Sequence, residues 1–137
     1  MIIVSACLAG VNCRYDGKNS ANEKIIKLIK EGKAILVCPE QLAGMTTPRE
    51  PIEIKNGKII NKKGEDFTEK LIFGCSEALK IAKLYCCEKA ILKSRSPTCG
   101  CGKIYDGIFT GKLIAGDGLF AKMLKENDVE VISEEEI

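Results

Sequence analysis

The chain has 137 residues, 45% of them hydrophobic, enough for one ordinary core and no obvious second domain. Its 21 basic and 19 acidic residues are interspersed for a formal charge of +2, a balance that gives neither duplex nucleic acid nor a membrane surface a footprint. Histidine is absent, which excludes Cys–His and Ser–His–Asp nucleophile systems and imidazole-based zinc sites; tryptophan is absent too, which argues against a base-stacking platform.

The opening residues 1–5 carry no basic lead-in, and no apolar run approaches the roughly 20 residues of a spanning helix, so the chain reads as cytosolic. Residues 2–6 form a short apolar run and are expected to make a first, buried strand. A loop over residues 7–17 follows, containing Cys7 and Cys13. Ser20 and Glu23 have the spacing of a capping box, opening a helix with Ile25, Ile26, Leu28 and Ile29 on its apolar side and Gly32 at its end. Residues 34–37 are the second expected strand, running directly into Cys38-Pro39-Glu40.

Pro48 and Pro51 mark an irregular stretch, and residues 52–60 predict a hairpin turning at Asn56-Gly57. A second capping box, Asp66 to Glu69, opens the longest helix, expected to reach about Cys87. Phe67, Leu71, Cys75, Ala78, Leu79, Ala82 and Cys86 recur along it at helical spacing. A third strand is expected over 90–93, then a loop over 94–102 with Cys99 and Cys101. A hairpin-like segment over 104–114, a helix capped by Asp117, a last strand over 129–132 and a solvated acidic tail complete the reading. This order predicts an α/β fold: a small Rossmann-like, mainly parallel sheet with helices on both faces and added β-hairpins.

Eight cysteines in a reducing compartment are expected as thiols or metal ligands rather than disulfides. No Cys-x-x-Cys pair marks a zinc ribbon or ferredoxin. Topology is more informative, because Cys7, Cys38 and Cys99 each follow a predicted parallel strand. Such loops emerge at one carboxyl edge, where these folds bind ligands, so the three distant cysteines become candidates for one metal site. Cys13 and Cys101, in the same loops, are candidates for a fourth ligand or a redox partner. Cys75, Cys86 and Cys87 read as structural.

The motifs at these loops resemble one family. They are Ser5-Ala6-Cys7-Leu8-Ala9-Gly10 with Arg14-Tyr15-Asp16-Gly17, Cys38-Pro39-Glu40, Thr47-Pro48-Arg49, and Ser96-Pro97-Thr98-Cys99-Gly100 with Ile104-Tyr105-Asp106-Gly107. The family is the small domain family, formerly of unknown function, that includes bacterial thiouracil desulfidase. The resemblance spans essentially the whole chain and implies a 4Fe–4S cluster held by Cys7, Cys38 and Cys99, with one iron free of protein ligands. It further implies a non-redox desulfuration, in which the open iron binds the sulfur of a small thiolated heterocycle or nucleotide and sulfide is released. Glu40 is then the candidate to activate water, and Ser96 the candidate to relay a proton or hold developing charge. A sulfide-carrying sulfur-transfer protein and a structural zinc or iron–sulfur module are the alternatives.

The arginines add one detail. Only three are present, Arg14, Arg49 and Arg95, against 18 lysines, and all three lie in motif loops. Guanidinium suits carboxylate or phosphate, so they are candidates either to bind an anionic substrate or to fix the loops through Asp16 and Glu40.

Overall fold

A computed structural model describes all 137 residues. Four parallel strands form the central sheet: β1 (Ile2–Ser5), β2 (Ala34–Val37), β5 (Lys89–Leu92) and β8 (Glu130–Ser133), in the order β2-β1-β5-β8. Two antiparallel hairpins stand apart from it, β3 (Ile52–Lys55) with β4 (Lys58–Asn61), and β6 (Lys103–Tyr105) with β7 (Leu113–Ala115). The helices are α1 (Glu23–Lys30), α2 (Pro39–Leu42), α3 (Thr68–Leu84) and α4 (Leu119–Glu126). No helix is long and apolar enough to cross a membrane.

The central strands are apolar on both sides because both faces of the sheet are covered. Side chains alternate along a strand, so Ile3 points to one face and Val4 to the other. Ile3, Ala90, Leu92 and Val131 pack with Cys75, Ala78 and Ala82 of α3 and Phe120 and Leu124 of α4. Val4 and Ile91 pack on the opposite side with Ile25 of α1 and with Leu8. A third, smaller cluster joins Ile52 and Ile59 of the first hairpin to Leu71 and Met45. Asn56 and Gly57 both have positive φ, 51° and 76°, the pairing a type I′ turn requires.

Several expected boundaries move for identifiable reasons. Ala6 leaves the strand and opens a 3₁₀ turn, Ala6–Ala9. Asn22, rather than Ser20, caps α1 by accepting from the amides of Lys24 and Ile25, because the Ser20 hydroxyl is engaged by Arg14. Asp117 does not cap α4: its carboxylate accepts from the Gly102 amide and from Lys125, and Gly118 takes the cap position. The acidic tail is exposed at Glu135 and Glu136, as expected, but it is ordered and Glu134 is tied down. Residues Glu134–Glu136 form a 3₁₀ turn in which Ser133 and Glu136 cap one another, and Glu134 accepts from the Ser94 amide at 2.8 Å.

The unpredicted helix α2 is four residues long, starts with Pro39 at a position that suits proline, and lies tight against α3. The approach depends on Gly74 of α3. A Cβ there would overlap the Pro39 carbonyl and sit 2.7 Å from the Ala43 Cβ. Gly74→Ala should therefore destabilise the protein by about 1–3 kcal/mol from overpacking, despite alanine's better helix propensity. Urea unfolding checks the sign; a more stable variant would show that α2 can move aside.

Candidate functional site

In a parallel sheet of order β2-β1-β5-β8 the connections leave β1 in opposite directions, so a crevice opens between β1 and β5 at their carboxyl ends. A cavity of about 930 Å³ lies there. Cys7, Cys13, Cys38 and Cys99 all line it, as do Glu40, Ser96, Arg14, Arg49 and Arg95. Cys7 arrives on the 3₁₀ turn after β1, Cys38 on the residue between β2 and α2, and Cys99 on the loop after β5. The Cys13 thiol is near enough to Cys7 and Cys38 for both to bear on its ionisation. Cys101 is elsewhere: its thiol donates to the Val131 carbonyl at 3.4 Å, and it packs against the core of the α3 and α4 face.

Burial and neighbouring thiols raise Cys13, Cys38 and Cys99 above the ordinary thiol range. Cys13 is pushed up to about 11: the Cys38 hydrogen bond favours its thiolate, but the Cys7 hydrogen bond, burial and the charge on Cys7 outweigh it. Cys38 is raised by its bond to Cys13 and by burial, with the Gln41 amide opposing. Cys99 is raised chiefly by burial, with the Ser5 hydroxyl opposing. All eight cysteines are free thiols. The sulfurs are spread over the cavity wall rather than drawn round one ion-sized point.

The Cys99 loop is fixed from both sides. The Ser96 hydroxyl oxygen accepts from the Thr98 and Cys99 amides at 3.1 and 3.0 Å, closing a tight turn. The carbonyls of Pro97 and Thr98 accept from the first amides of α4, Leu119 and Phe120, so the loop itself satisfies the helix N-terminus. Gly118 permits that contact, since a Cβ there would lie 2.6 Å from the Thr98 oxygen. Ser96 thus has an observed structural duty, and its hydroxyl proton remains available to the cavity.

Glu40 sits on the first turn of α2 with both oxygens bonded. Oε1 accepts from Arg49 Nε at 2.8 Å, and Oε2 accepts from Thr98 Oγ1 at 3.0 Å. Thr98 is fully buried and joins the Cys38 loop to the Cys99 loop through this carboxylate. Arg49 also donates to the Cys13 carbonyl, the Thr46 carbonyl and the Thr47 hydroxyl. Arg14 pairs with Asp16 at 3.3 Å and lies over the Tyr15 ring, and Arg95 pairs with Glu135 at 2.9 Å near the surface. Of the two readings of the arginines, the structure shows the loop-fixing contacts at Asp16 and Glu40.

Sequence reasoning missed three polar residues here. Thr98 and Ser5 lay inside quoted motifs without a role, and Glu53 lay in the predicted hairpin. Glu53 is buried beside the cavity and accepts from the Gly107 and Phe109 amides, fastening the turn after β6 to β3. The signal was a carboxylate in an otherwise apolar strand, where burial demands partners.

The arrangement has known counterparts. The sequence profile of the 2-thiouracil desulfurase family matches residues 2–136. The chain belongs to that family. A Bacillus subtilis (strain 168) protein of uncharacterised role, YbbK, is similar at 47% identity, spanning all of this chain and 97% of its own length. The solved structure of a [4Fe-4S]-dependent thiouracil desulfidase, TudS, superposes with a TM-score of 0.95 at 37% identity, covering 99% of this chain and 91% of that one. The mainly parallel sheet with added hairpins is therefore the fold of a desulfurase, as the residue pattern led one to expect.

Proposed function

We propose that this desulfurase removes sulfur from a thiolated pyrimidine, as base, nucleoside or nucleotide, by an iron–sulfur-dependent, non-redox hydrolysis. The observation that carries the reading is the convergence of Cys7, Cys38 and Cys99 on one cavity beside an ion-paired Glu40. Soft thiolates from three separate loops, with no imidazole, are a donor set suited to an iron–sulfur cluster. A 4Fe–4S cluster held by these three supplies one iron without a protein ligand, a Lewis acid for the substrate's soft sulfur.

The remaining chemistry belongs to the chain. Water must replace sulfur at the ring carbon, so that thiocarbonyl and water give carbonyl and hydrogen sulfide. Each Glu40 oxygen has a second lone pair beyond its bond to Arg49 or Thr98, so Glu40 can accept a proton from that water without leaving its place. Ser96 can donate its free hydroxyl proton toward developing charge, while its oxygen keeps the Cys99 turn closed. Cys13 lines the cavity beside the proposed ligands, and Cys101 is held at Val131 outside it.

Anaerobic reconstitution tests the ligand set. Cys7→Ser, Cys38→Ser and Cys99→Ser should each retain less than about a tenth of the wild-type iron and sulfide, whereas Cys101→Ala should load fully. Failure of the wild-type protein to bind iron and sulfide would overturn the reading. Loss of the cluster in Cys13→Ala would mean that all four sulfurs of the cavity hold it and that no iron is open.

A nucleotide substrate would bring a phosphate, and three arginines line the cavity. Arg95, with a single partner and a half-exposed side chain, is the arginine with donors left for a phosphate. Arg95→Ala should raise KM for a thiolated nucleotide several-fold and leave the bare base unchanged. Equal KM values in both proteins would remove phosphate recognition from Arg95.

A further inference from the structure

The Tyr105-Asp106-Gly107 motif and the buried Glu53 belong together. Glu53 lies in β3, 8% exposed, and its Oε1 accepts from the Gly107 and Phe109 amides at 3.0 and 3.2 Å. Gly107 makes the approach possible, since its φ is 92° and a Cβ there would overlap the Ile54 carbonyl oxygen. Phe109 is held at φ 58°, a backbone shape that a bulky residue adopts only where its surroundings enforce it. Asp106 steadies the same turn from within, accepting from the Ile108 amide and the Thr110 hydroxyl. These contacts fix one carboxylate oxygen of Glu53 and leave the other idle: Oε2 has no hydrogen-bond partner in the protein. No side-chain oxygen sealed from solvent goes without a partner, so Oε2 must reach accessible space. The space that Glu53 lines is the cavity, and Tyr105 and Phe109 line it too.

We infer that Glu53 is a specificity-determining residue whose Oε2 accepts the ring N3–H of a thiolated uracil. The inference rests on the proposed function, since it assigns Glu53 to the substrate of that reaction. Burial is what makes the oxygen selective. A carboxylate withdrawn from water needs donors, and a ligand that supplies none leaves Oε2 unpaired at a cost. N3–H is the ring donor that base, nucleoside and nucleotide share, because N1 carries the sugar in the larger two. It also adjoins the sulfur-bearing carbon whether the sulfur is at C2 or C4, so holding N3 sets that carbon's place. A cytosine-type ring presents an unprotonated N3, a second acceptor facing the first, and is disfavoured. Tyr105 and Phe109 give the cavity wall aromatic surface for a flat ring to lie against.

The test compares 2-thiouracil, its 3-methyl derivative and 2-thiocytosine, each as base and as nucleoside, with reconstituted wild-type protein and Glu53→Gln. Glutamine keeps an oxygen for the Gly107 and Phe109 amides and turns an NH₂ toward the cavity. Wild-type kcat/KM should be about 10- to 100-fold higher for the thiouracil form than for either analogue. In Glu53→Gln the preference over the thiocytosine form should shrink by about tenfold or more, because the amide now donates to an unprotonated N3. Sulfide release from none of the six compounds by loaded wild-type protein would sink the proposed function and this inference with it. Equal wild-type kcat/KM for the thiouracil form and its 3-methyl derivative would overturn the role of Glu53 alone, and that arm needs no variant to fold. An unchanged substrate preference in loaded Glu53→Gln would overturn it as well, since a side chain that only braces the turn has no bearing on N3.

Discussion

Glu40→Gln should lower desulfuration by about two to four orders of magnitude while leaving iron and sulfide content unchanged. Glutamine has the shape of glutamate, and its amide oxygen can still face Arg49 Nε. Its NH₂ would then meet Thr98 Oγ1, a hydroxyl that accepts as readily as it donates. The loop geometry around Cys38 and Cys99 therefore survives, and what disappears is the capacity to take a proton from water. Metal analysis and sulfide release under anaerobic conditions separate the two effects. A fully active variant would remove Glu40 from the role, and one that loses its cluster would make Glu40 a structural member of the site.

Arg49→Met should have the largest effect on the fold. Its side chain is only 6% exposed and pairs with a carboxylate that is 14% exposed. It also bonds the carbonyls of Cys13 and Thr46 and the Thr47 hydroxyl. Methionine matches the length of the stem but leaves Glu40 and the Cys13 carbonyl without their partner. Breaking a buried pair from one side costs about 3–5 kcal/mol, which in a chain of this size lowers Tm by on the order of 10 °C. Because Arg49 ties the loop after β1 to the loop after β2, cluster uptake should fall with it. Arg49→Lys should recover only part of the loss, since an ammonium cannot match the guanidinium fork across four partners. A wild-type melting temperature in Arg49→Met would show that the pair contributes no net stability.

The large features of this site were legible in the sequence because they follow from topology. Cys7, Cys38 and Cys99 could be placed together once three apolar runs were read as parallel strands, since the carboxyl edge of such a sheet is a single place. The hairpin at Asn56-Gly57 was equally plain, because few dipeptides accept two successive positive φ values. What stayed hidden depended on competition between partners. Asp117 has the residue type of a helix cap, but Gly102 and Lys125 outbid the helix for its oxygens. Thr98 and Ser5 looked like filler beside cysteines, and their meaning appears only when Glu40 and Lys93 arrive from distant segments. Glu135 and Glu136 are solvated as they looked, but nothing local signals that Glu134 would find the Ser94 amide across the sheet edge.

The two apolar interiors have a consequence for assembly. Each is complete on its own face of the sheet, built from α3 and α4 on one side and α1 on the other. Aliphatic and aromatic side chains make up most of each, with Cys99 a member of the first and Cys7 and Cys13 of the second. Such cores should let the polypeptide fold before it is loaded, unlike a zinc finger, whose metal is its core. Delivery then meets a preformed socket, and a centre destroyed by oxygen can be replaced without unmaking the protein. Damage to such a chain is a repairable event at one rim rather than a sentence of degradation.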